Sequence, residues 1–578
     1  MLSWLKKLSR FSRSSTGERA QALYLQGTIE NRAGRHREAA SLLIAAVEAN
    51  PGVAEFHYEL GQAMRGLGEP ARAVTCFRNA IGIEPAHLDA HIDIASIMLA
   101  LGNVDGAEQA ARSALSLGPQ SVAAHVNLGA ALEGQKKFTE AANGYRAALA
   151  IDADCVPALA NLSGVCLQLG AIDEARRCTE RALRIAPHNP DVYMRQGNVL
   201  MEQRQLAQAA ESFGAALRLR PGAAACVSLG FAYDLQGRLE SAMDCYEQAL
   251  SFDQEDVPAH LNRAAIWLLG EDYERGWEEY EWRLRSREHA PLYERFPYPR
   301  WDGSSLAGRR ILVYAEQGLG DEIMYASCLP EVIAQAAHCV IDCEPRLAGL
   351  FRRSFPQATV HGSRQADAVD WLAHAGPIDV RVPAGSLPLT LRRARAQFPQ
   401  HQGYLRADPE RVAAWRARLQ SLGAGLKIGL SWRGGVPQTG RGMRSISLPE
   451  LLPVLRLGGA TFVSLQYGQC GEELALLRER YGVEIHHWQE AIDNYEETAA
   501  LVCGLDLVLS VCTAVVDLGG ALGRPVWVMA PVRTDFRYGF KGQAMRWYPS
   551  ARIFRQTQCG EWDSVVKEVA VALSQICV

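Results

Sequence analysis

One carboxylate, two glycines and a helix start stand together at Gly318-Leu319-Gly320-Asp321. They follow the apolar run Ile311-Leu312-Val313-Tyr314, so the order reads as buried strand, tight turn, helix. Such a turn brings backbone N–H groups and a carboxylate to a helix N-terminus, where an anionic or hydroxylated ligand is held. Gly318 and Gly320 allow the backbone to pass close to a ligand. Asp321 is therefore the candidate general base, an acid placed to take a proton from a hydroxyl. Its competing role is that of a helix cap, worth about 1 kcal/mol.

A second group of candidates lies further along the chain. Thr513 and Ala514 open a helix directly after the apolar run 507–511, so their N–H groups and the positive helix end suit a phosphate. Arg433 and Arg444 are the cations expected near a leaving group, with a surface ion pair as the alternative for each. Gln466 ends a strand and is placed to meet a base or ribose. Asp517 sets a carboxylate beside the expected phosphate, a repulsion that Arg433, Lys541 or a metal would have to offset. Trp547 and Tyr548 are assigned to packing, and Asp493 and Thr498 to capping. No Asp-x-Asp pair stands after residue 308, and the chain has no CxxC pair or zinc-type Cys/His spacing. A metal is not expected.

Alternating strands and helices are needed to position these groups. Strands are predicted at 310–314, 339–343, 358–361, 426–432, 461–465, 483–486, 507–511 and 526–529. Helices are predicted at 322–335, 345–354, 409–422, 449–457, 472–480, 495–503, 514–522 and 562–576, the last crossing back to the first half. The order implies an α/β region of two Rossmann-like halves, 309–400 and 401–578, facing a cleft and holding ligands at the strand carboxyl ends.

The preceding part is periodic. Pro51, Pro85, Pro119, Ala153, Pro187 and Pro221 recur at a spacing of 34, with Gln254 following after 33. Small residues mark a second register at Gly27, Gly61, Ala95, Gly129, Ser163, Gly197, Gly230 and Ala264. Twelve residues after each come Ala39, Ala73, Ala107, Ala141, Ala175, Ala209, Ala242 and Gly276. This resembles the tetratricopeptide repeat, a helix-turn-helix unit, and assigns an α solenoid of about eight repeats to 21–287. Stacked repeats form a superhelix with a concave groove, by default a protein-binding surface. Asn127 and Asn161 share one register in that groove with Asn262 and are candidates for holding a peptide backbone; a solvated helix face is the alternative.

Two flanking segments complete the plan. Residues 1–20 carry Leu5 and Leu8 with Lys6, Lys7, Arg10 and Arg13, a basic amphipathic pattern suited to weak contact with an anionic membrane surface or to capping the first repeat. The final repeat is aromatic and charged, with Trp277, Tyr280 and Trp282 expected to pack against the next domain. Segment 288–308 is then a rigid junction rather than a free tether.

The 578 residues have a formal net charge of −4, which argues against a nucleic-acid partner. Fourteen scattered cysteines read as reduced thiols of a cytoplasmic protein. No apolar run approaches the roughly 20 residues that span a bilayer.

Five motifs in combination carry a resemblance: Trp301-Asp302-Gly303, Glu316 to Asp321, Gly429 to Gly435, Ser464-Leu465-Gln466, and Asp506 to Thr513. Together they resemble the bacterial glycosyltransferases related to the lipopolysaccharide heptosyltransferases, and more specifically their tetratricopeptide-fused branch, which includes flagellin glycosyltransferases. Pro531 to Gly539 and Arg546 to Pro549 look like that family's donor-proximal loop, a likeness that implies Arg537 and Tyr538 on the sugar side. The resemblance implies a GT-B fold with the donor on the C-terminal half, a metal-independent and inverting reaction, and Asp321 as the catalytic base. It implies a nucleotide-sugar donor as substrate, no cofactor, and Ser or Thr of a protein acceptor, flagellin foremost. This chain has Cys512 where the family commonly has Asp, and Asp517 where it usually has His. Two rival readings stand beside it: a surface-glycan or lipid-linked acceptor, and a non-catalytic scaffold that kept the fold.

Overall fold

The computed structural model describes residues 16–286, 293–363, 369–435 and 441–577; most of the basic segment 1–20 lies outside them, as does part of the junction 288–308. Two compact units divide the chain after Pro221. The first is built of antiparallel helical pairs, from Thr16–Arg32 with His36–Ala49 to Pro190–Glu202 with Leu206–Leu219. The register of small residues explains the pairing. A Cβ added at Gly61 would lie 2.6 Å from the Phe77 ring, and one at Gly129 would lie 2.6 Å from Tyr145. Gly197 meets Phe213 and Gly230 meets Tyr246 in the same way, and Gly27 meets Leu43, each 16 residues on; where the register holds Ala95 or Ser163, the residue 16 on is the smaller Ala111 or Thr179. Volume is conserved across the pair, which close packing requires.

Each pair turns through one left-handed residue. Gly34, Gly68, Gly102 and Gly170 occupy it in the first unit, and Lys136 and Arg204 take the same position with φ of 62° and 61°.

The second unit opens with the helices Ala223–Leu235, Leu239–Phe252, Val257–Leu269 and Tyr273–Tyr280. Two wholly parallel sheets follow. The first has β1 (Arg310–Tyr314), β2 (His338–Cys343), β3 (Thr359–Gly362) and β4 (Val380–Pro383) in the order β3-β2-β1-β4. The second has β5 (Leu426–Ser431), β6 (Ala460–Ser464), β7 (Leu507–Val511), β8 (Val526–Ala530) and β9 (Ala551–Arg555) in the order β6-β5-β7-β8-β9. Ligands of such sheets bind where the strand order reverses, beyond the carboxyl ends. Those points are β1/β4 in the first sheet and β5/β7 in the second, and the residues that leave them include Asp321, Arg433 and Thr513.

Several expectations are corrected. Strands β4 and β9 were hidden: Val-Arg-Val-Pro is four residues long, and Ala551–Arg555 carries two arginines. The run at 483–486 forms only one bridge, Val463 to His486. The helix predicted at 322–335 starts earlier and breaks into Leu319–Tyr325 and Leu329–Gln335, joined by a 3₁₀ turn. The final helix, Asp563–Ser574, does not cross back to the first half; Val565, Val566, Val569 and Leu573 sit in the core of the second sheet. Its apolar face matches that sheet's flank, which would otherwise be open to water.

The last helical pair is joined to the sheets. Trp277 is buried, donates from Nε1 to the Arg392 carbonyl at 3.0 Å, and meets Phe536 and Trp547 edge-on. Trp282 behaves differently from expectation: it stacks on His260 of the same pair, with centroids 3.5 Å apart.

Candidate functional site

Asp321 lies in the first turn of the Leu319–Tyr325 helix and accepts a hydrogen bond from the Gly318 amide at 3.0 Å. Its other oxygen pairs with Arg537, which comes from the 3₁₀ turn Phe536–Tyr538 after β8. The same guanidinium reaches Asp517 Oδ2 at 3.2 Å and Asp535 Oδ1 at 3.1 Å. Tyr548 donates its hydroxyl to Asp517 Oδ1 at 3.2 Å. Three carboxylates thus converge on one cation whose side chain is 9% exposed. Burial pushes the Asp517 carboxyl up to about 6, although Arg537 pulls it down.

The expected counter-cations for Asp517 were Arg433, Lys541 or a metal, and Arg537 takes that place instead. Arg433 is turned away: it donates to the Gln469 carbonyl at 2.7 Å and pairs with Glu473 at 3.1 Å. Lys541 is exposed beside Phe540.

The glycine turn of the first sheet rests on the helix start of the second. A Cβ on Gly320 would come within 2.6 Å of Asp517 Oδ2 and 3.4 Å of the Ala514 Cα, so only glycine fits there. The Ala514–Ala521 helix is capped by Thr513, whose hydroxyl accepts from the Val515 amide at 3.3 Å and shares a hydrogen bond with Ser510 at 3.1 Å. In this arrangement the phosphate-type helix end is covered by protein.

The other candidates are scattered. Gln466 is buried and wholly committed: its oxygen accepts from the Trp432 and Arg433 amides at 3.0 and 2.8 Å, and its NH₂ donates to the Arg433 and Tyr467 carbonyls. It ties the ends of β5 and β6 together. The Arg444 carbonyl lies against Gly434, 2.9 Å from where a Cβ would stand. Cys512 is buried, and burial pushes its thiol up to about 12 against the pull of the Arg444 and Arg555 charges. Tyr538 is buried rather than turned to an open cleft. The helix Tyr495–Gly504 is capped by Asn494, while Asp493 accepts from Gln489. In the solenoid, Asn127 donates to the Ile92 carbonyl at 3.1 Å, and Asn161 hydrogen-bonds the Tyr145 hydroxyl.

Two residues were missed from the sequence. Glu316 at the exit of β1 is buried and accepts from Arg283 Nη2 at 2.7 Å, from the Tyr293 hydroxyl at 2.9 Å and from the Gly385 amide at 2.9 Å. It anchors the β1 turn to the last repeat, and its signal was an acid placed directly after an apolar strand. Glu322 is the other: it is buried, accepts from the Glu344 amide at 2.9 Å, and has its carboxyl pushed up to about 8 by burial.

Profiles described as tetratricopeptide repeat match residues 24–87, 58–122, 92–154, 132–197 and 194–259. Solved structures similar to part of the chain include the APC/C hetero-tetramer Cut9-Hcn1, at 17% identity and a TM-score of 0.37, covering 43% of this chain and 49% of that one. PilF of Pseudomonas aeruginosa is similar at 20% identity and a TM-score of 0.32, covering 36% and 94%. The repeats and the sheets define a tetratricopeptide-repeat protein with a C-terminal region of parallel sheets. Over 425 residues the chain is 33% identical to Protein FlbA of Caulobacter vibrioides, a match covering 70% of each. It belongs to the FlbA family.

Proposed function

We propose that the chain is a cytoplasmic glycosyltransferase of GT-B architecture, which transfers a sugar from a nucleotide-activated donor to a Ser or Thr of a protein acceptor recruited by the solenoid, flagellin foremost. The observation that carries this reading is the meeting of Asp321, leaving one sheet's switch point, with the Ala514 helix start, leaving the other's. In the reaction the acceptor oxygen attacks the anomeric carbon while Asp321 takes its proton. The bond from that carbon to the donor phosphate breaks, and the phosphate departs with its electron pair toward the Thr513 and Ala514 amides. Both groups are engaged by protein here, so the donor enters when the Gly320 turn moves off Ala514 and Arg537 releases Asp321. Arg537 is then free to face the anionic leaving group.

A non-catalytic scaffold is the second reading, favoured by the same closed contact. Intact-mass measurement of flagellin secreted with the wild-type chain, with Asp321→Asn and without the chain separates the two. Enzyme action requires a sugar mass shift with wild type that is lost with Asp321→Asn, while the acceptor still co-purifies with the variant. A mass unaffected by Asp321→Asn ends the catalytic reading.

A further inference from the structure

A cavity of about 790 Å³ opens between the last helical pair and the turn that follows β1. Its size lies within the roughly 300–1,000 Å³ of ligand sites. One wall is the start of the Val257–Leu269 helix with Asp253, Glu255 and Asp256; the other holds the rings of Tyr280, Trp282 and Tyr293. The end nearest the sheets is formed by Glu316 and Gln317, and Gln317 donates to the Tyr280 hydroxyl at 2.7 Å. Asp321 lies four residues beyond Gln317, and Tyr325 of the helix that carries it donates to the Tyr280 hydroxyl at 3.4 Å. That end of the cavity thus adjoins the turn and helix that carry the candidate base.

Its charge is lopsided. Among the described residues four carboxylates line it against two guanidiniums. Arg283 is taken up by Glu316 at 2.7 Å and Glu281 at 2.7 Å. Arg285 lies over the Trp282 ring and reaches Glu255 at 3.7 Å. Asp253 and Asp256 are paired with no cation among the described residues; they accept from the Glu255 and Ala259 amides at 3.0 and 2.8 Å. Such a wall attracts a cationic ligand, and the adjoining rings add stacking surface for guanidinium or ammonium groups. A neutral or acidic glycan gains nothing from these carboxylates.

We propose that this cavity seats the acceptor as a polypeptide segment in which Lys or Arg residues flank the modified Ser or Thr, a proposal that rests on the glycosyltransferase reading above. Fluorescence anisotropy on the full chain tests it, using a labelled twelve-residue peptide with one Ser among Lys and Arg and its counterpart with Glu in their place. The basic peptide is expected to bind at least tenfold more tightly, with affinity falling as salt rises. The double variant Asp253→Lys, Glu255→Lys changes only exposed side chains and should cost at least tenfold in that affinity; Trp282→Ala should weaken binding with an unchanged circular dichroism spectrum. Equal binding of the two peptides, or preference for a neutral oligosaccharide added as competitor, overturns the proposal. The two failures are distinguishable. If the double variant modifies acceptor with wild-type kcat/KM, the cavity assignment falls and the enzyme stands. If the basic peptide binds as expected but the acceptor carries the same sugar mass shift with Asp321→Asn as with wild type, the enzyme reading falls and the binding site remains.

Discussion

In the helical pairs a glycine meets an aromatic ring, as Gly61 meets Phe77 and Gly230 meets Tyr246. Where the two sheets meet, one guanidinium is surrounded by Asp321, Asp517 and Asp535, and Gly320 lies on Asp517 itself. The first device depends on shape and tolerates exchange within the register, as Ala95 and Ser163 show. The second depends on charge balance in a dry place, where losing one partner strands the rest. The repeat contacts thus rest on shape, and the sheet contact on the balance of charge around Arg537.

Acidity should separate these regions most widely. Burial raises the Glu322 carboxyl to about 8 from an unfolded value near 4.3, so the folded state holds this proton more tightly. Its contribution to stability is full below about pH 4.3 and is lost as pH rises toward 8, by up to about 1.4 kcal/mol for each unit crossed. Denaturant unfolding of Glu322→Gln from pH 5 to 8 should show a flatter pH dependence than wild type in the transition of the sheets. A parallel dependence in both proteins would mean that Glu322 is not the sensor.

Arg537→Ala should lower the stability of the same transition by about 3–5 kcal/mol, because Asp517 is left buried without its cation. Adding Asp517→Asn should restore part of that loss. If the two substitutions instead add independently in a double-mutant cycle, the carboxylates and Arg537 do not act as a unit.

Gly61→Ala drives a methyl group to 2.6 Å from the Phe77 ring and should cost about 1–3 kcal/mol in the transition of the repeats. Phe77→Leu should not recover it, because in the equivalent pair a Cβ on Gly27 would still lie 2.7 Å from Leu43. The smallest effect is a gain: Lys136→Gly relieves a left-handed residue with φ of 62° and should stabilise the repeats by about 1 kcal/mol in thermal unfolding. Unchanged stability in both variants would show that the pairs are less tightly specified than their register implies.

Much of this architecture was legible in the chain. Spacings of 34 marked the repeats, because every unit must solve the same packing problem with the same small and large residues. Strand β1 and its glycine turn were legible because a buried parallel strand is an apolar run and a close turn needs glycine. Strands β4 and β9 were not, since short or arginine-bearing segments become strands only when a neighbour offers its hydrogen bonds. The candidate site was legible only in part. Asp321, Asp517 and Arg537 were each named, but their convergence was not, as they lie up to 216 residues apart. Gln466 and Arg433 were assigned to ligand, whereas their polar atoms serve the loops after β5 and β6.

By itself the sequence determined what short-range physics controls: the 34-residue helical repeat and the strand-turn-helix that presents Asp321. Tertiary structure alone decided which charges share a site, and it chose Arg537 over Arg433 and Lys541 as the partner of Asp517. The reason is that burial and pairing of a charge depend on distance through space, and distance along the chain carries almost no information about it.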